Sequence, residues 1–385
     1  MFKNKAFKFI CLLLAFTVIL LSAVACGKDT VDKNDGQEKT TLIATVSKDP
    51  KFDSAVLSLT ADDFTNAGFS FGDSFNVEFD NGCTLTDVPY YNGYYVKTGD
   101  PVIVAYPKNE YVLIAKNNRD FWTPENLTDG CTVKITLNTA KKYIATFEAL
   151  GQSYSTDRST YDSDEAFANF RALSGGNMKD NFIYRGASPV DNSRSRAAIT
   201  DSILKKTGIV CIIDLADSQT DMNEYFEAEN FSSEYSKTLY EKGNTVLLSM
   251  SANYDSEAYK ASVAQGMRHL LQYGGPAYIH CMEGKDRTGF VCMLLEALVG
   301  ADYDEMCADY MKTYENYYGI TKTGTPERYD AVVSLYFDSF AEYLLGTSDA
   351  DALKSADYTQ AAKSYLLDCG MSESEIQQLI TFLSK

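Results

Sequence analysis

Residues 276–299 constrain this chain more than any other stretch. Pro276-Ala277-Tyr278-Ile279-His280 is a short apolar run with the bulk of a buried strand. The polar stretch that follows Cys281, Met282-Glu283-Gly284-Lys285-Asp286-Arg287, is suited to a tight turn with glycine at its middle. Thr288–Val299 then places Phe290, Val291, Leu294, Leu295 and Leu298 at helical spacing, and Gly300 stops it. A strand that turns directly into a helix predicts a loop at the carboxyl end of a mostly parallel sheet, where α/β folds bind their ligands.

The surrounding sequence keeps that rhythm. Ser195–Lys206 reads as a helix and Gly208-Ile209-Val210-Cys211-Ile212-Ile213-Asp214-Leu215 as a buried strand. Thr245–Met250 reads as another strand, Ser256–Tyr273 as a helix, and the chain from Tyr303 onward as mainly helical. Strands alternating with helices predict an α/β domain over 166–385 with a mostly parallel sheet flanked by helices.

The turn carries a chemistry. Backbone amides of a tight loop and of a helix N-terminus, aimed at one point, make an anion site. Cys281 opens the loop, where such a field favours thiolate over thiol. Arg287 closes it with a planar fork suited to two phosphate oxygens. The expectation is a cysteine-dependent phosphatase. Cys281 attacks phosphorus in line and forms a phosphocysteine. The amides of Met282, Glu283, Gly284, Lys285, Asp286 and Arg287, with the Arg287 guanidinium, hold the equatorial oxygens. Thr288 donates its hydroxyl to the sulfur, and His280 steadies the loop backbone beside it. Neither cofactor nor metal is implied: Cys-x-x-Cys pairs are missing from the sequence and only His269 and His280 are histidines. With nine cysteines and nine arginines, a bare Cys-x5-Arg spacing arises by chance in roughly one such chain in five. The strand, the glycine, the Thr-Gly ending and the helix supply the specificity.

At this point the sequence resembles a known family. His280-Cys281-x-x-Gly284-Lys285-Asp286-Arg287-Thr288-Gly289 is similar to the signature of the bacterial tyrosine/serine phosphatases. Asn169-Phe170-Arg171, Tyr184-Arg185 with Ser188-Pro189, Gly208-Ile209 through Asp214-Leu215, Ala308-Asp309-Tyr310 and Tyr365-Leu366…Gly370-Met371 extend the likeness across 166–385. It implies a protein-tyrosine-phosphatase-like fold and phosphotyrosine, phosphoserine/threonine or phosphoinositide substrates. Two positions depart from the pattern, with Ala172 and Ala216 standing where the family has Asp and Arg. The resemblance also implies no mobile Trp-Pro-Asp loop, and Trp122, the one tryptophan, lies far upstream. A leaving oxygen still needs a proton. Asp286 is the stronger candidate and Asp255 the other, with a helix N-cap as the alternative for Asp255. Lys285 adds charge beside the phosphate or is a solvated surface lysine. The alternative from another class is an inactive phosphatase fold that binds phosphorylated ligands.

Residues 41–146 have a different rhythm. Short β-branched or aromatic runs at 42–46, 55–59, 75–79, 102–106, 111–114 and 133–137 are separated by Asp80-Asn81-Gly82, Asn92-Gly93, Thr98-Gly99-Asp100-Pro101 and Asp129-Gly130. These predict an all-β accessory domain, a small barrel or sandwich. It acts as a spacer or, in another reading, as a cell-wall or glycan binder. Residues 147–165 read as a polar connector. Cys83 and Cys131 are candidates to pair, which spacing does not decide, while Cys211, Cys292 and Cys307 read as core residues.

The N-terminus predicts an address. Lys3, Lys5 and Lys8 precede an apolar run from Phe9 through Leu21, and Leu21-Ser22-Ala23-Val24-Ala25-Cys26 places small residues before a cysteine. This reads as a lipoprotein signal peptide over 1–25, with Cys26 lipidated and 26–40 a flexible tether. The run is short for a membrane span, which needs about 20 apolar residues. The mature protein is then anchored by lipid to the extracytoplasmic face of the membrane. The formal charge of −18 becomes −21 when the three leader lysines are lost, which disfavours nucleic acid as a partner.

Overall fold

A computed structural model describes residues 40–106, 111–151 and 153–385. The leader, Cys26 and all of the tether but Thr40 lie outside the described residues. By contacts, 39–385 forms one compact unit. Among the described residues no helix is long and apolar enough to cross a membrane.

The N-terminal part is a closed seven-stranded barrel. Its strands are β1 (Thr41–Lys48), β2 (Ala55–Leu57), β3 (Ser74–Phe79), β4 (Thr84–Tyr91), β5 (Pro101–Val104), β6 (Leu113–Lys116) and β7 (Thr132–Thr139), in the order β1-β2-β6-β5-β4-β3-β7. Closure comes from β1 pairing with β7, which leaves no exposed edge. Inward positions alternate as a barrel requires: Ala44 and Val46 on β1, Val133 and Ile135 on β7. Helix α1 (Ala61–Asn66) starts at a Thr60/Asp63 capping box and drives Phe64 into the aromatic cluster of Phe69, Phe75 and Tyr90. Strand β4 was not expected from sequence. Asp87 sits at φ +60° and Pro89 follows, so the alternation of a regular strand is broken. Cys83 and Cys131 are both free, with the Cys83 thiol 3.3 Å from a Glu125 oxygen.

The stretch read as a connector is structured. Helix α2 (Ile144–Leu150) begins inside the span assigned to the barrel, and α3 (Asp164–Phe167), capped by Ser163, ends the stretch. The second sheet runs β11 (Thr245–Leu247), β10 (Cys211–Asp214), β12 (Ala277–His280), β9 (Ile183–Gly186), β8 (Arg171–Ala172). The first four pair in parallel and β8 pairs antiparallel to β9. Strands β9, β10 and β12 are buried along their whole length, which is why β10 and β12 lie in apolar runs, whereas β9, with Arg185 inside it, was not expected from sequence.

Four helices lie along the chain between these strands: α4 (Ala197–Thr207), α5 (Gln219–Glu227), α6 (Glu234–Glu241) and α7 (Glu257–Tyr273). Helix α8 (Asp286–Leu298) leaves the loop after β12. It starts two residues before the expected Thr288 and is buried on every face from Thr288 to Leu298 rather than on one side. Neighbours surround it: β12 and β9, then α9 (Tyr303–Tyr318) and, beyond α10 (Pro326–Val332), α11 (Asp338–Leu345) and α12 (Ala350–Ser355), helix α13 (Tyr358–Asp368). Helix α14 (Glu373–Leu383) packs on α7. A central helix of this kind has no polar stripe to mark its outer face. Cys211, Cys292 and Cys307 are all buried, as core cysteines should be.

Candidate active site

The loop 281–285 joins the buried end of β12 to α8. Gly284 makes its sharp turn at φ +69°, and a Cβ there would lie 2.2 Å from the Gly186 carbonyl oxygen. Only glycine satisfies both the dihedral and the close approach.

The loop's carbonyls all point to partners outside it. His280 Nδ1 lies 3.3 Å from Cys281 O, and Ser188 N donates to Met282 O at 3.1 Å. Asn169 Nδ2 donates to Glu283 O and Gly284 O, each at 3.3 Å, and Tyr317 Oη donates to Glu283 O at 2.8 Å. Arg185 Nη2 donates to Gly284 O at 2.8 Å, and Gly289 N to Lys285 O at 2.8 Å. The amides of 282–288, by contrast, donate to no acceptor among the described residues. With carbonyls tied outward, seven successive N–H groups are left to face an anion.

Each donor is itself held. Asn169 occupies φ +52°, a conformation asparagine tolerates, and its Oδ1 accepts from Arg171 Nη1 at 2.8 Å and Asn316 Nδ2 at 3.0 Å. Asp309 binds Arg171 at 2.6 Å and also Arg185. Burial works against the Asp309 charge, but the two guanidinium groups hold its carboxyl below the usual range. From the connector, Tyr154 Oη donates to the Glu283 carboxylate, and Arg194 lies 3.6 Å from the same carboxylate.

The expected site residues fall as follows. Cys281 is buried at the loop's start. Arg287 donates through Nη1 to Met250 O at 3.0 Å, which anchors one edge of its fork. Thr288 is fully buried and its Oγ1 has no hydrogen-bond partner among the described residues. His280 is buried, and burial pushes its ring down to about 4, so it is neutral near pH 7. Its Nε2 is 3.8 Å from Asp214 Oδ2, beyond hydrogen-bond length. Asp214 and Asp217 are raised above the usual range, first by burial and then, for Asp217, by the charge of Asp214.

The two acid candidates separate. Asp286 is the first residue of α8, with 46% of its side chain exposed. Desolvation at the crowded mouth raises its carboxyl, with Glu283 adding to the rise and Lys285 and Arg287 opposing it. Asp255 is exposed and accepts from Tyr343 Oη at 2.8 Å. The helix cap read as its alternative belongs to the next residue: Ser256 accepts from Tyr259 N. Lys285 is no free surface lysine. Its ammonium lies 3.8 Å from Glu283 and 3.7 Å from Asp286, with 19% of the side chain exposed.

Asn169, Arg171, Arg185 and Asp309 appear in the sequence as matched positions without a role, and their shared purpose is to hold the loop. A polar residue inside or beside a short strand is the one signal that marks Asn169, Arg171 and Arg185; Asp309, within α9, carries none. Tyr154 and Tyr317 carry no such signal.

A family model described as "Tyrosine phosphatase family" matches residues 165–384, more than half of the chain. The triple specificity protein phosphatase PtpB of Mycobacterium tuberculosis (strain ATCC 25618 / H37Rv) is 30% identical over 124 residues, 29% of this chain and 44% of the relative. The chain therefore spans less than half the length of that relative. Among solved structures, an uncharacterized conserved protein from Thermotoga maritima aligns over 28% of this chain and 43% of its own, at 16% identity and a TM-score of 0.22.

Proposed function

We propose that this chain, which belongs to the tyrosine phosphatase family, is a protein-tyrosine-phosphatase-like hydrolase that cleaves phosphomonoesters through a phosphocysteine at Cys281. The observation that supports this most is the polarity of the loop, with every carbonyl from 281 to 285 held outward and the amides of 282–288 left without an acceptor among the described residues.

In the proposed first step Cys281 Sγ bonds to phosphorus as the bond to the leaving oxygen breaks. Asp286 gives that oxygen its proton. The place of Asp286 beside Arg287 at the start of α8, with its carboxyl raised by burial, favours it over Asp255, whose carboxylate accepts from Tyr343 Oη. The amides and Arg287 hold the three equatorial oxygens throughout, in positions that need no reorganisation. In the second step water attacks phosphorus, its proton passes to the Asp286 carboxylate, and the sulfur leaves with the Thr288 hydroxyl donating to it. The name of the mycobacterial relative supports a broad substrate range, and phosphotyrosine, phosphoserine/threonine and phosphoinositide esters are the substrates to compare.

The test is p-nitrophenyl phosphate hydrolysis with metal chelated. Turnover by the wild type and none by Cys281→Ser is the expected result. Equal rates for the two would sink the mechanism. Asp286→Asn should lose the basic limb of the pH–rate profile, which reports the protonated acid, while Asp255→Asn keeps it. Lipid anchoring at Cys26 is a separate proposal supported by the small residues before that cysteine. Detergent-phase partition of the wild type but not of Cys26→Ala in the native host is its expected result.

A further inference from the structure

The ammonium of Lys285 lies 5.8 Å over the Tyr314 ring. Beside it is a narrow cavity of about 20 Å³ lined by Lys285 with Tyr95, Tyr314, Tyr318 and Tyr336. That volume holds about one water molecule. Tyr314 and Tyr318 belong to α9, and Tyr336 to the helical turn before α11. Tyr95 comes from the barrel, in the turn after β4. That turn is fixed where it stands: Tyr336 Oη donates to Tyr94 O at 2.7 Å, and the Tyr95 ring meets Tyr91 edge-on at 5.4 Å. Arg119, also of the barrel, lies 4.6 Å over Tyr254, whose ring stacks on Phe290 of α8.

Lys285 has two carboxylates within 4 Å, those of Glu283 and Asp286. Its charge adds to the anion field only while the ammonium stays beside them. A nearly dry pocket keeps it there, because low local polarity strengthens both attractions. Opening one wall admits water, weakens both pairs and frees a long, flexible side chain to swing outward.

We propose that Tyr95 is a positioning residue for Lys285, so that the β-barrel supplies a wall of the phosphate site. This rests on the phosphatase reading above. The ligand concerned is the phosphate group itself, and the effect falls on its binding rather than on the chemistry at sulfur.

The experiment is a double-mutant cycle in the full chain. Tyr95→Ala and Tyr95→Asn open the wall in two ways, Tyr95→Phe keeps the ring, and each is made with Lys285 intact and with Lys285→Met. Ile43→Ala, on the exposed face of β1, is the barrel control. The readouts are kcat and KM on p-nitrophenyl phosphate and the affinity for inorganic phosphate by calorimetry, with circular dichroism to confirm folding. With Lys285 present, the Ala and Asn variants should weaken phosphate about fivefold and raise KM to match, with kcat within about twofold. Tyr95→Phe and Ile43→Ala should match the wild type. With Lys285→Met, opening the wall should change nothing further. An equal loss in both backgrounds, or no loss from either opening, overturns the proposal. If the wild type shows no turnover, the phosphatase reading fails by itself, and the calorimetric cycle still decides whether Tyr95 acts through Lys285.

Discussion

Gly284→Ala and Gly300→Ala make a matched pair. Both glycines have positive φ, +69° and +85°, so alanine costs each about 1–2 kcal/mol of backbone strain. Their surroundings differ. A Cβ on Gly300 meets nothing within 4 Å, whereas on Gly284 it lies 2.2 Å from Gly186 O and 2.3 Å from Gly186 C. Ordinary contact requires those atoms to part by about 1 Å or more. The neighbour is backbone at the end of β9, already packed so tightly that a Cβ on Gly186 would lie 2.5 Å from Tyr278 Oη. The loop must therefore move. A displacement of about 1 Å in a positioned reacting group costs on the order of 100-fold in rate.

The assay is initial-rate hydrolysis of p-nitrophenyl phosphate by the full chain, beside urea unfolding. Gly300→Ala should lose about 1–2 kcal/mol of stability and keep its kcat/KM. Gly284→Ala should lose at least that stability and also about 100-fold in kcat/KM. If Gly284→Ala keeps kcat/KM within about fivefold of the wild type, or Gly300→Ala falls equally, the claim that close approach to Gly186 sets the loop is wrong.

Three further outcomes follow from the buried charges and the barrel contacts. Asp309→Ala leaves two largely buried guanidinium groups uncompensated, Arg185 at 1% and Arg171 at 14% exposure, and should cost about 3–5 kcal/mol in urea unfolding. A loss below about 1 kcal/mol would put that pair in the class of surface bridges. Asp217, raised to about 7 by burial and by Asp214, binds its proton more tightly folded than unfolded. Its contribution to stability is thus present below the ordinary carboxylate range and lost as pH rises toward 7. Asp217→Asn should gain stability relative to the wild type between pH 4.5 and 7.5, and parallel urea profiles would refute this. Arg119→Ala removes the cation over Tyr254 and Tyr343 and should cost about 1 kcal/mol, read as a lowered melting temperature.

What the sequence made legible was contiguous. The strand–loop–helix around Cys281 announces itself because every residue that turns the chain lies within ten positions, and the barrel's regular strands announce themselves by alternation. Strand β4 was hidden by Asp87 and Pro89. Helix α7 is capped by Ser256 rather than Asp255; serine and aspartate cap about equally well, so residue type alone could not choose. Contacts across the chain left no trace. Arg171 and Asp309 are 138 positions apart, Tyr154 and Glu283 129, and a single sequence carries no record of which distant residues meet. Tyr95 was invisible for the same reason, lying in a turn that belongs by rhythm to the barrel.

The two alanines that depart from the family pattern can now be weighed by where they lie. Ala172 sits on β8, opposite Tyr184, and Ala216 donates its amide to Asp214 Oδ1 at 2.8 Å. Neither supplies a donor to the loop. Those donors are Ser188 N, Asn169, Arg185, His280, Tyr317 and Gly289 N. Turning any one loop peptide around would break one or two hydrogen bonds at about 1 kcal/mol each, more where the donor is charged Arg185. The orientation of the amides is therefore set jointly by β9, β12, α8, α9 and the segments flanking them, and losing one side chain elsewhere does not release it. The same reasoning locates where the departures can act. Ala216 stands between Asp214 and Asp217, both buried and each with a carboxylate oxygen that finds no donor among the described residues, where an arginine would supply a countercharge. The alanine supplies none, and the charge that opposes the rise of Asp214 comes from Arg287 instead. The alanine's effect belongs to the protonation of the acidic pair behind the loop, not to the loop's grip on phosphate.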